Sequence, residues 1–169
     1  MDKHTREIMH SSKSMDEVTP QDLFEQLERE FHFTIDLAAD AENTKCKCYF
    51  DEQADAFGQQ WTERGWCNPP YGRNVPYWVN KASWEAKNTV ACGGLTVMLL
   101  VPRTDTKWFK NAADTANEIR FIKGRLKFEG QLHPAPFPSC LVIWYGKYRV
   151  APYVPHEDDK YSYNLIWRR

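Results

Sequence analysis

The sequence predicts an α/β domain of three layers, with helices on both faces of a mostly parallel sheet. Short apolar segments alternate with stretches of helical periodicity along most of its 169 residues. The segment from Leu95 to Val101 is almost continuously apolar, which is typical of a central parallel strand covered on both faces. With 42% hydrophobic residues, a chain of this length forms one core of ordinary size.

The chain divides into a polar arm over residues 1–16 and one domain over 17–169. The arm has neither the period of two nor the period of 3.6 residues. The first helix is predicted over 20–31, with Thr19 as its N-cap and Pro20 in its first position. Its buried face consists of apolar residues at helical spacing, which are Leu23, Phe24, Leu27 and Phe31.

Two short strands are predicted to end at polar residues. Residues 33–37 form a strand that ends beside the carboxylate of Asp36, and Ala38 and Ala39 let the backbone turn tightly there. Residues 64–67 form a strand that stops at Asn68, because the two prolines that follow can neither donate to a sheet nor continue a helix. A strand end of this kind is a candidate ligand site.

The remaining elements follow from the same patterns. Helices are predicted over 76–87 and 105–117, strands over 118–122 and 139–144, and a turn with a partner strand over 124–128. Four aromatic residues at helical spacings are expected in the core rather than against a bound base, namely Trp78, Trp84, Trp108 and Phe109.

Composition excludes several classes of protein. No apolar run approaches the roughly 18 residues of a membrane span, and the polar start does not resemble a secretory signal, so a cytoplasmic protein without membrane contact is expected. Five cysteines without paired spacing predict reduced thiols and no metal, although Cys46 and Cys48 lie close together. A net charge of -1 argues against coating nucleic acid by bulk charge but permits a local basic face.

The motif that carries most chemistry is Asn68-Pro69-Pro70-Tyr71. By itself it is equally well explained as a rigid proline turn with a packed aromatic ring. As a catalytic loop, it would hold two acceptors, the Asn68 side-chain oxygen and the Pro69 carbonyl, at a fixed spacing. Two such acceptors suit the amino group of adenine, whose lone pair must be freed from the ring before it can be alkylated. Tyr71 would stack on a base flipped out of the duplex.

The sequence resembles the small phage-type DNA N6-adenine methyltransferases, often called phage Dam-like, over residues 18–145. The motifs occur in the expected order: TPQDLFEQLEREFHFTIDLAADAEN, GWCNPPYGR, WVNKAS, LLVPRTDTKWF, RFIKGRLKFEG and APFPSCLVIW. The resemblance implies a shortened Rossmann-like class I methyltransferase fold that uses S-adenosylmethionine. It also implies a double-stranded DNA substrate, a bacterial or phage-infected cytoplasm and, with no protein partner evident, a monomer.

The resemblance also assigns candidate site residues. Thr19 and Pro20 resemble the element that holds the methionine end of the cofactor, and Asp36, Ala38 and Ala39 occupy the first cofactor loop. Asp55 and Phe57 are similar to the pair that receives the cofactor's adenine, and Asn68, Pro69, Pro70 and Tyr71 form the catalytic loop.

Two features depart from the general methyltransferase pattern. No GxG follows the first strand, and only 32 positions separate Asp36 from Asn68, so the usual second and third strands must be short or missing. The ribose-binding acid is unassigned, with Asp51 and Glu52 as weak candidates. No separate domain for DNA recognition is expected in this sequence.

DNA is therefore expected to contact local cations. Residues 120–128 interleave four cations with apolar residues and contain no acid, so a hairpin there would place cations on one side. A solvated edge strand explains the same pattern equally well. The candidate DNA-binding residues are Arg73, Arg103, Arg120, Lys123, Arg125 and Lys127.

Three other functions remain open at this level. Loops of the same kind act on RNA adenine and on protein glutamine, whose amide offers the same donors as adenine N6. A non-catalytic nucleic-acid-binding protein on a decayed methyltransferase scaffold is the third. Methylation of cytosine C5 is disfavoured because the sequence has no Pro-Cys loop. The target sequence is not predicted, and GATC is suggested only by analogy.

Overall fold

A seven-stranded sheet runs through the structure, a computed structural model that describes residues 17–88, 93–148 and 151–169. The predicted arm over 1–16 lies outside the described residues. The strands are β1 (Ile35–Asp36), β2 (Cys48–Tyr49), β3 (Arg64–Cys67), β4 (Leu95–Leu100), β5 (Glu118–Ile122), β6 (Cys140–Trp144) and β7 (Tyr163–Arg168). Their order across the sheet is β2-β1-β3-β4-β6-β5-β7.

Strand direction divides the sheet into two parts. The pairings among β2, β1, β3 and β4 are parallel, whereas the pairings of β6 with β4, β6 with β5 and β5 with β7 are antiparallel. Strands β1 to β5 therefore share one direction, and β6 and β7 run the other way. The mostly parallel sheet expected from the sequence is confirmed.

Helices cover both faces of the sheet, as the α/β pattern predicts. They are α1 (Gln21–Phe31), α2 (Val75–Asn88) and α3 (Lys107–Thr115). Along β4, Val97 and Leu99 pack in the cluster that contains the apolar face of α1, whereas Met98 and Leu100 pack in the cluster formed with α2 and α3. A strand buried on both faces explains why residues 95–101 are almost continuously apolar. The shortened Rossmann-like architecture is confirmed, with β2 reduced to two residues at the sheet edge.

Several local predictions were wrong. Thr19 does not cap α1, because Pro20 occupies the N-cap position and no side chain caps the helix there. No strand forms over 124–128, since the neighbours of β5 are β6 and β7, and β7 was not predicted. Trp84 is 53% exposed, although Trp78 and Phe109 are buried as expected.

No helix in the described part of the chain is long and apolar enough to cross a membrane. The described residues also contain no group of three or more histidine, cysteine or acidic side chains that could hold a metal ion.

The start of β4 depends on a close backbone approach at Gly94. Its N–H donates to the carbonyl of Trp61 at 2.5 Å, and a Cβ at this position would lie 2.1 Å from the carbonyl oxygen of Glu63. Because backbone cannot move aside as a side chain can, we expect Gly94→Ala to lower the free energy of unfolding by about 2–3 kcal/mol. Urea denaturation followed by circular dichroism measures this loss.

Gly58→Ala is the matched control for Gly94→Ala. The nearest atom to its added Cβ would be Oδ2 of the Asp55 side chain, at 3.2 Å. Equal unfolding midpoints for the two variants would show that the approach at Gly94 is not tight.

Candidate active site

The strand order reverses between β1 and β3. From β1 the chain continues to β2 on one side, and β3 lies on the other. Open α/β sheets bind ligands at such a switch point, beyond the carboxyl ends of the strands. Asp36 is paired with Trp66, and the N–H of Leu37 donates to the Trp66 carbonyl at 2.8 Å. Because Asn68 follows Trp66 by two positions, Asp36 and Asn68 leave the sheet at the same edge.

Asp36 is a buried carboxylate at the end of β1. Its side chain is only 3% exposed, and its two oxygens accept hydrogen bonds from the N–H groups of Ala38 at 3.3 Å and Lys45 at 3.1 Å. Burial raises its pKa to about 6, and the two N–H donors and the charge of Lys45 oppose that rise. Asp36 is therefore mostly ionised at neutral pH and gains a proton under mildly acidic conditions.

The loop between β1 and β2 folds back onto the end of β1. Phe50, the residue after β2, makes two backbone hydrogen bonds there. Its N–H donates to the Asp36 carbonyl at 2.8 Å, and its carbonyl accepts from the N–H of Ala39 at 3.2 Å. The Lys45 ammonium contacts Gln21 at 3.1 Å and Glu129 at 2.8 Å. The loop is thus tied to the start of α1 and to the segment over 123–130.

The side-chain amide of Asn68 makes a hydrogen bond through its nitrogen but, among the described residues, none through its oxygen. Its Nδ2 donates to the backbone carbonyl of Glu17 at 2.7 Å, whereas its Oδ1 is buried and accepts no hydrogen bond from any described residue. A buried acceptor without a donor costs about 1–3 kcal/mol, and a bound group that supplied a donor would offset that cost. Pro69 is buried and Pro70 half-buried, which restricts the backbone that follows.

Tyr71 is held by aromatic neighbours. Its ring lies edge to face with Phe128 and Phe137, at centroid distances of 6.2 and 5.8 Å. Its hydroxyl is buried without a hydrogen bond to a described residue, and burial raises its pKa well above the usual value. The phenol is therefore neutral, and the ring forms a fixed wall beside Asn68.

The segment over 17–20 joins this edge from the N-terminal side. Glu17 supplies the carbonyl that binds Asn68, and Val18 forms an antiparallel bridge with Glu129. Thr19 is 3% exposed and Pro20 is buried, directly before α1. Thr19 and Pro20 therefore belong to the same short segment as Glu17, whose carbonyl contacts Asn68.

Phe57 lies on the α2 side of the sheet, two positions after Asp55. The ring of Phe57 is 4.6 Å from that of Trp78 in α2, and Phe57 and Ala38 pack against the same core cluster. Asp55 adopts a left-handed conformation, with φ of 51°, and its carbonyl accepts from the N–H of Gly58 at 2.8 Å. Their assignment to the cofactor's adenine remains a prediction.

Five of the six candidate DNA-binding cations are exposed. They are Arg73, Arg103, Lys123, Arg125 and Lys127. Although residues 124–128 form no strand, burial alternates along them, with Leu126 and Phe128 inside and Arg125 and Lys127 outside. The cations therefore share a solvent-facing side without the predicted hairpin.

Arg120 is the exception, and its prediction as a DNA contact is wrong. Its side chain has no exposure, and its guanidinium donates two hydrogen bonds of 2.6 Å to Glu30 and one of 2.5 Å to Glu118. Position 120 lies inside β5, which is covered by β6 on one side and β7 on the other. Because β7 was not predicted, the sequence pattern left this arginine on a surface.

Glu118 is the acid at the centre of this buried group. Burial raises its pKa, but hydrogen bonds from Tyr145 at 2.7 Å and from Arg120 more than offset that effect, so the pKa lies below its usual range. Arg168 contacts the same carboxylate at 3.1 Å. Arg120 thus links α1, β5 and β7 as a structural ion cluster.

Sequence reasoning missed several residues that the structure places at this edge. The carbonyl of Glu17 has no sequence signal, because any residue type supplies one. Phe128 and Phe137 carried a weak signal as aromatic residues that flank polar loops. Lys45 offered none, since a lysine in a polar loop is ordinarily solvated.

The reversed strand order, the acid at the end of β1 and the Asn68–Tyr71 loop at the end of β3 together define a Rossmann-like methyltransferase fold. The chain belongs to the DNA N-6-adenine-methyltransferase (Dam) family, whose model matches residues 10–146. The resemblance found in the sequence is thereby confirmed.

Two phage proteins, each described as a DNA N-6-adenine-methyltransferase, are similar to this chain. The protein of Haemophilus phage HP1 (strain HP1c1) is 32% identical over 107 residues, which are 62% of this chain and 60% of the relative. That of Escherichia phage T1 is 30% identical over 113 residues, which are 64% of this chain and 44% of the relative. The matched region thus spans less than two thirds of each relative. No solved structure matches the chain significantly.

The buried ion cluster makes a prediction about stability. Arg120→Ala removes one partner of Glu118, which is 1% exposed, and both guanidinium hydrogen bonds of Glu30. We expect a loss of about 3–5 kcal/mol in the free energy of unfolding, because removing one partner strands a buried charge. Urea denaturation measures the loss, with Lys123→Ala as the control because Lys123 is exposed. An unfolding midpoint of Arg120→Ala equal to that of the control would contradict the structural role.

Proposed function

We propose that this chain is an S-adenosylmethionine-dependent methyltransferase that methylates the N6 amino group of adenine in double-stranded DNA. In this proposal, residues 17–169 act as one monomeric domain, and the Asn68–Tyr71 loop holds the flipped base. The observation that carries the proposal is the buried Oδ1 of Asn68, which accepts no hydrogen bond within the described part of the chain and lies at the same sheet edge as the carboxylate of Asp36.

The orientation of the Asn68 amide supports an accepting role. Since Nδ2 is bound to the Glu17 carbonyl at 2.7 Å, the amide is held with Oδ1 directed away from that carbonyl. An exocyclic amino group brings two N–H donors, one for Oδ1 and one for the Pro69 carbonyl. These two hydrogen bonds draw the nitrogen toward tetrahedral geometry and turn its lone pair toward the electrophile.

The hydrogen bonds to Asn68 Oδ1 and to the Pro69 carbonyl also bear on the charge and the surplus proton of the methylated amine. During alkylation, positive charge would develop on N6, and the Asn68 side-chain oxygen and the Pro69 carbonyl would stabilise it. The methyl carbon would form its bond to N6 as its bond to the sulfonium sulfur broke. The surplus proton on the nitrogen would pass to water, because amide oxygens are poor bases at neutral pH.

The residues at the end of β1 suit a cofactor that carries an ammonium group. Each oxygen of Asp36 accepts one backbone hydrogen bond, which leaves acceptor capacity for a further donor. When bound, S-adenosylmethionine supplies an electrophilic methyl group on a sulfonium. Asp36 would orient its methionine end, with the segment at Thr19 and Pro20 nearby, and Asp55 and Phe57 would receive its adenine.

The DNA would lie across the exposed cations. Arg73 follows the catalytic loop, Arg103 follows β4, and Lys123, Arg125 and Lys127 extend beyond β5. Strands β3, β4 and β5 share one direction, so all these cations follow carboxyl ends of strands at the edge that carries Asn68. Phosphate contacts from this edge would place one base above Tyr71.

The direct test is methyl transfer from labelled S-adenosylmethionine. The wild-type chain is incubated with unmethylated DNA duplexes of varied sequence, with adenine-containing RNA and with a glutamine-containing peptide. The proposal requires label in N6-methyladenine of the duplexes. Label only in RNA or in peptide would assign the loop to another amine or amide, and DNA binding without transfer would indicate a non-catalytic scaffold.

The role of Asn68 predicts a loss confined to the chemical step. Asn68→Ala removes an acceptor whose hydrogen bond strengthens as charge develops, so single-turnover methyl transfer should fall about 100- to 1,000-fold. Cofactor affinity should change little. Asn88→Ala is the control, because it removes an exposed amide at the end of α2. Equal losses in transfer and in cofactor affinity would refute the assigned role.

The pKa of Asp36 predicts a pH dependence of cofactor binding. With a pKa of about 6, Asp36 is ionised above that pH and neutral below it, so affinity for a cationic cofactor should fall as the pH decreases. The expected fall between pH 7 and pH 5 is about tenfold. Burial raises the pKa values of the neighbouring thiols, Cys46 to about 12 and Cys67 well above its usual value, so both stay neutral throughout.

Calorimetric titration of the chain with S-adenosylmethionine across this range measures the effect. Asp36→Asn keeps the size of the side chain and removes its charge, so it should bind more weakly at pH 7 and with little change toward pH 5. An unchanged pH profile in this variant would show that another group controls binding.

A further inference from the structure

A cavity opens at the edge that carries Asn68. It has a volume of about 400 Å³ and lies where β4 and β5 end and β6 begins. Pockets for small ligands typically measure about 300–1,000 Å³. Because β4 pairs directly with β3, the nearest strand of this cavity is the neighbour of the strand that carries the catalytic loop. None of the groups assigned above to the cofactor or to the target adenine lines it.

Ser139 is one of the lining residues of the cavity, and no described residue satisfies its hydroxyl. The residue is 2% exposed, and its Oγ is buried without a hydrogen bond to any described residue. Its backbone carbonyl is occupied, since it accepts from the N–H of Ile122 at 3.0 Å. A buried hydroxyl without a partner is costly unless a bound group supplies one.

Asn164 reaches the same cavity through an irregularity in β7. Phe121 pairs with Leu165, but the next residue of β5, Ile122, pairs with Tyr163, so Asn164 is the extra residue of a β-bulge. Bulges are frequent next to functional sites because they redirect a side chain. The amide of Asn164 offers both a donor and an acceptor. Residue 164 also lies beyond the matched range of 10–146, so this wall of the cavity is not part of the family match.

The remaining lining favours a nucleotide. It contains the cation Arg125, the hydroxyl residue Thr104 and the aromatic residue Phe121, and no acid. Gly124 has a positive φ of 80°, and no described residue apart from its chain neighbours has an atom within 4 Å of where its Cβ would be, so a ligand can approach the backbone there. Apolar surface with a few polar groups suits a base, and an exposed cation at the rim suits its phosphate.

We propose that this cavity binds a nucleotide that flanks the target adenine and thereby sets the sequence preference of the enzyme. This inference rests on the proposed function, since it takes DNA to be the substrate. Ser139 and Asn164 read the edge of the base through donor and acceptor groups, and Arg125 binds the phosphate of the same nucleotide. Base contacts discriminate between sequences, whereas phosphate contacts strengthen binding to all of them.

The test uses binding rather than methyl transfer. Affinities of wild type, Ser139→Ala, Asn164→Ala and Arg125→Ala are measured by fluorescence anisotropy on duplexes in which every base pair next to one adenine is varied in turn. Ser139→Ala and Asn164→Ala should reduce the wild-type preference at one flanking position roughly tenfold. Arg125→Ala should weaken binding to all duplexes and make the salt dependence shallower by about one unit of slope.

Two exposed residues outside the cavity provide comparisons. Ser162→Ala removes a hydroxyl near Asn164 and is the control for the base preference, which it should leave unchanged. Lys127→Ala removes another proposed phosphate contact, so it should weaken binding to all duplexes equally and shows what a loss of affinity without a loss of base preference looks like. Circular dichroism and urea denaturation confirm that each variant is folded.

The outcomes separate this inference from the proposed reaction. If folded Ser139→Ala and Asn164→Ala keep the wild-type base preference, or lose affinity equally for every duplex, the cavity does not read a base. If wild type methylates adenine while the variants keep its preference, only the cavity inference fails. If wild type binds selectively, the variants lose that selectivity and no methyl transfer is detected, the cavity inference stands and the proposed reaction fails.

Discussion

The parallel pairing of β1 with β3 is the constraint on which the candidate site depends. It places Asp36 opposite Trp66, two positions before Asn68. Asp36 and Asn68, which are 32 positions apart in the chain, therefore lie at the same edge of the sheet. Since β1 has only two residues, side-chain packing has to hold it in place. Leu37 lies so close to Gly65 in β3 that a Cβ there would be 2.6 Å from its Cδ1. The absence of a side chain at residue 65 thus permits the close contact that fixes the register.

Around this strand pair, short polar contacts connect regions with different proposed roles. The backbone N–H of Lys45 binds Asp36, and its ammonium contacts Glu129 at 2.8 Å, in the segment that carries Arg125 and Lys127. Glu129 also pairs with Val18, next to the carbonyl that orients Asn68. The proposed cofactor residue, the proposed catalytic amide and the exposed cations therefore lie within one connected set of contacts.

Cations of the same sequence segment have opposite environments. Arg120 is enclosed by Glu30, Glu118 and the rings of Phe31, Tyr153 and Tyr163, at ring distances between 4.9 and 5.3 Å, whereas Lys123, Arg125 and Lys127 face solvent. The charge of Arg120 is neutralised by acids within the fold. The charges of Lys123, Arg125 and Lys127 are exposed, where an anionic partner can contact them. The net charge of -1 consequently understates the positive character of this edge.

The sequence by itself determined the layers and the strand ends. Periodicity located the helices to within about two residues at each end, because apolar side chains must repeat with the period of the element that buries them. The motif order identified the family, and the double proline marked where β3 ends. Only the tertiary structure decided which polar groups are satisfied. Pairing with β7 buried Arg120, the Glu17 carbonyl oriented the amide of Asn68, and a bulge placed Asn164 beside Ser139. These outcomes depend on contacts between residues far apart in the chain, and local patterns of residue type carry no information about such contacts.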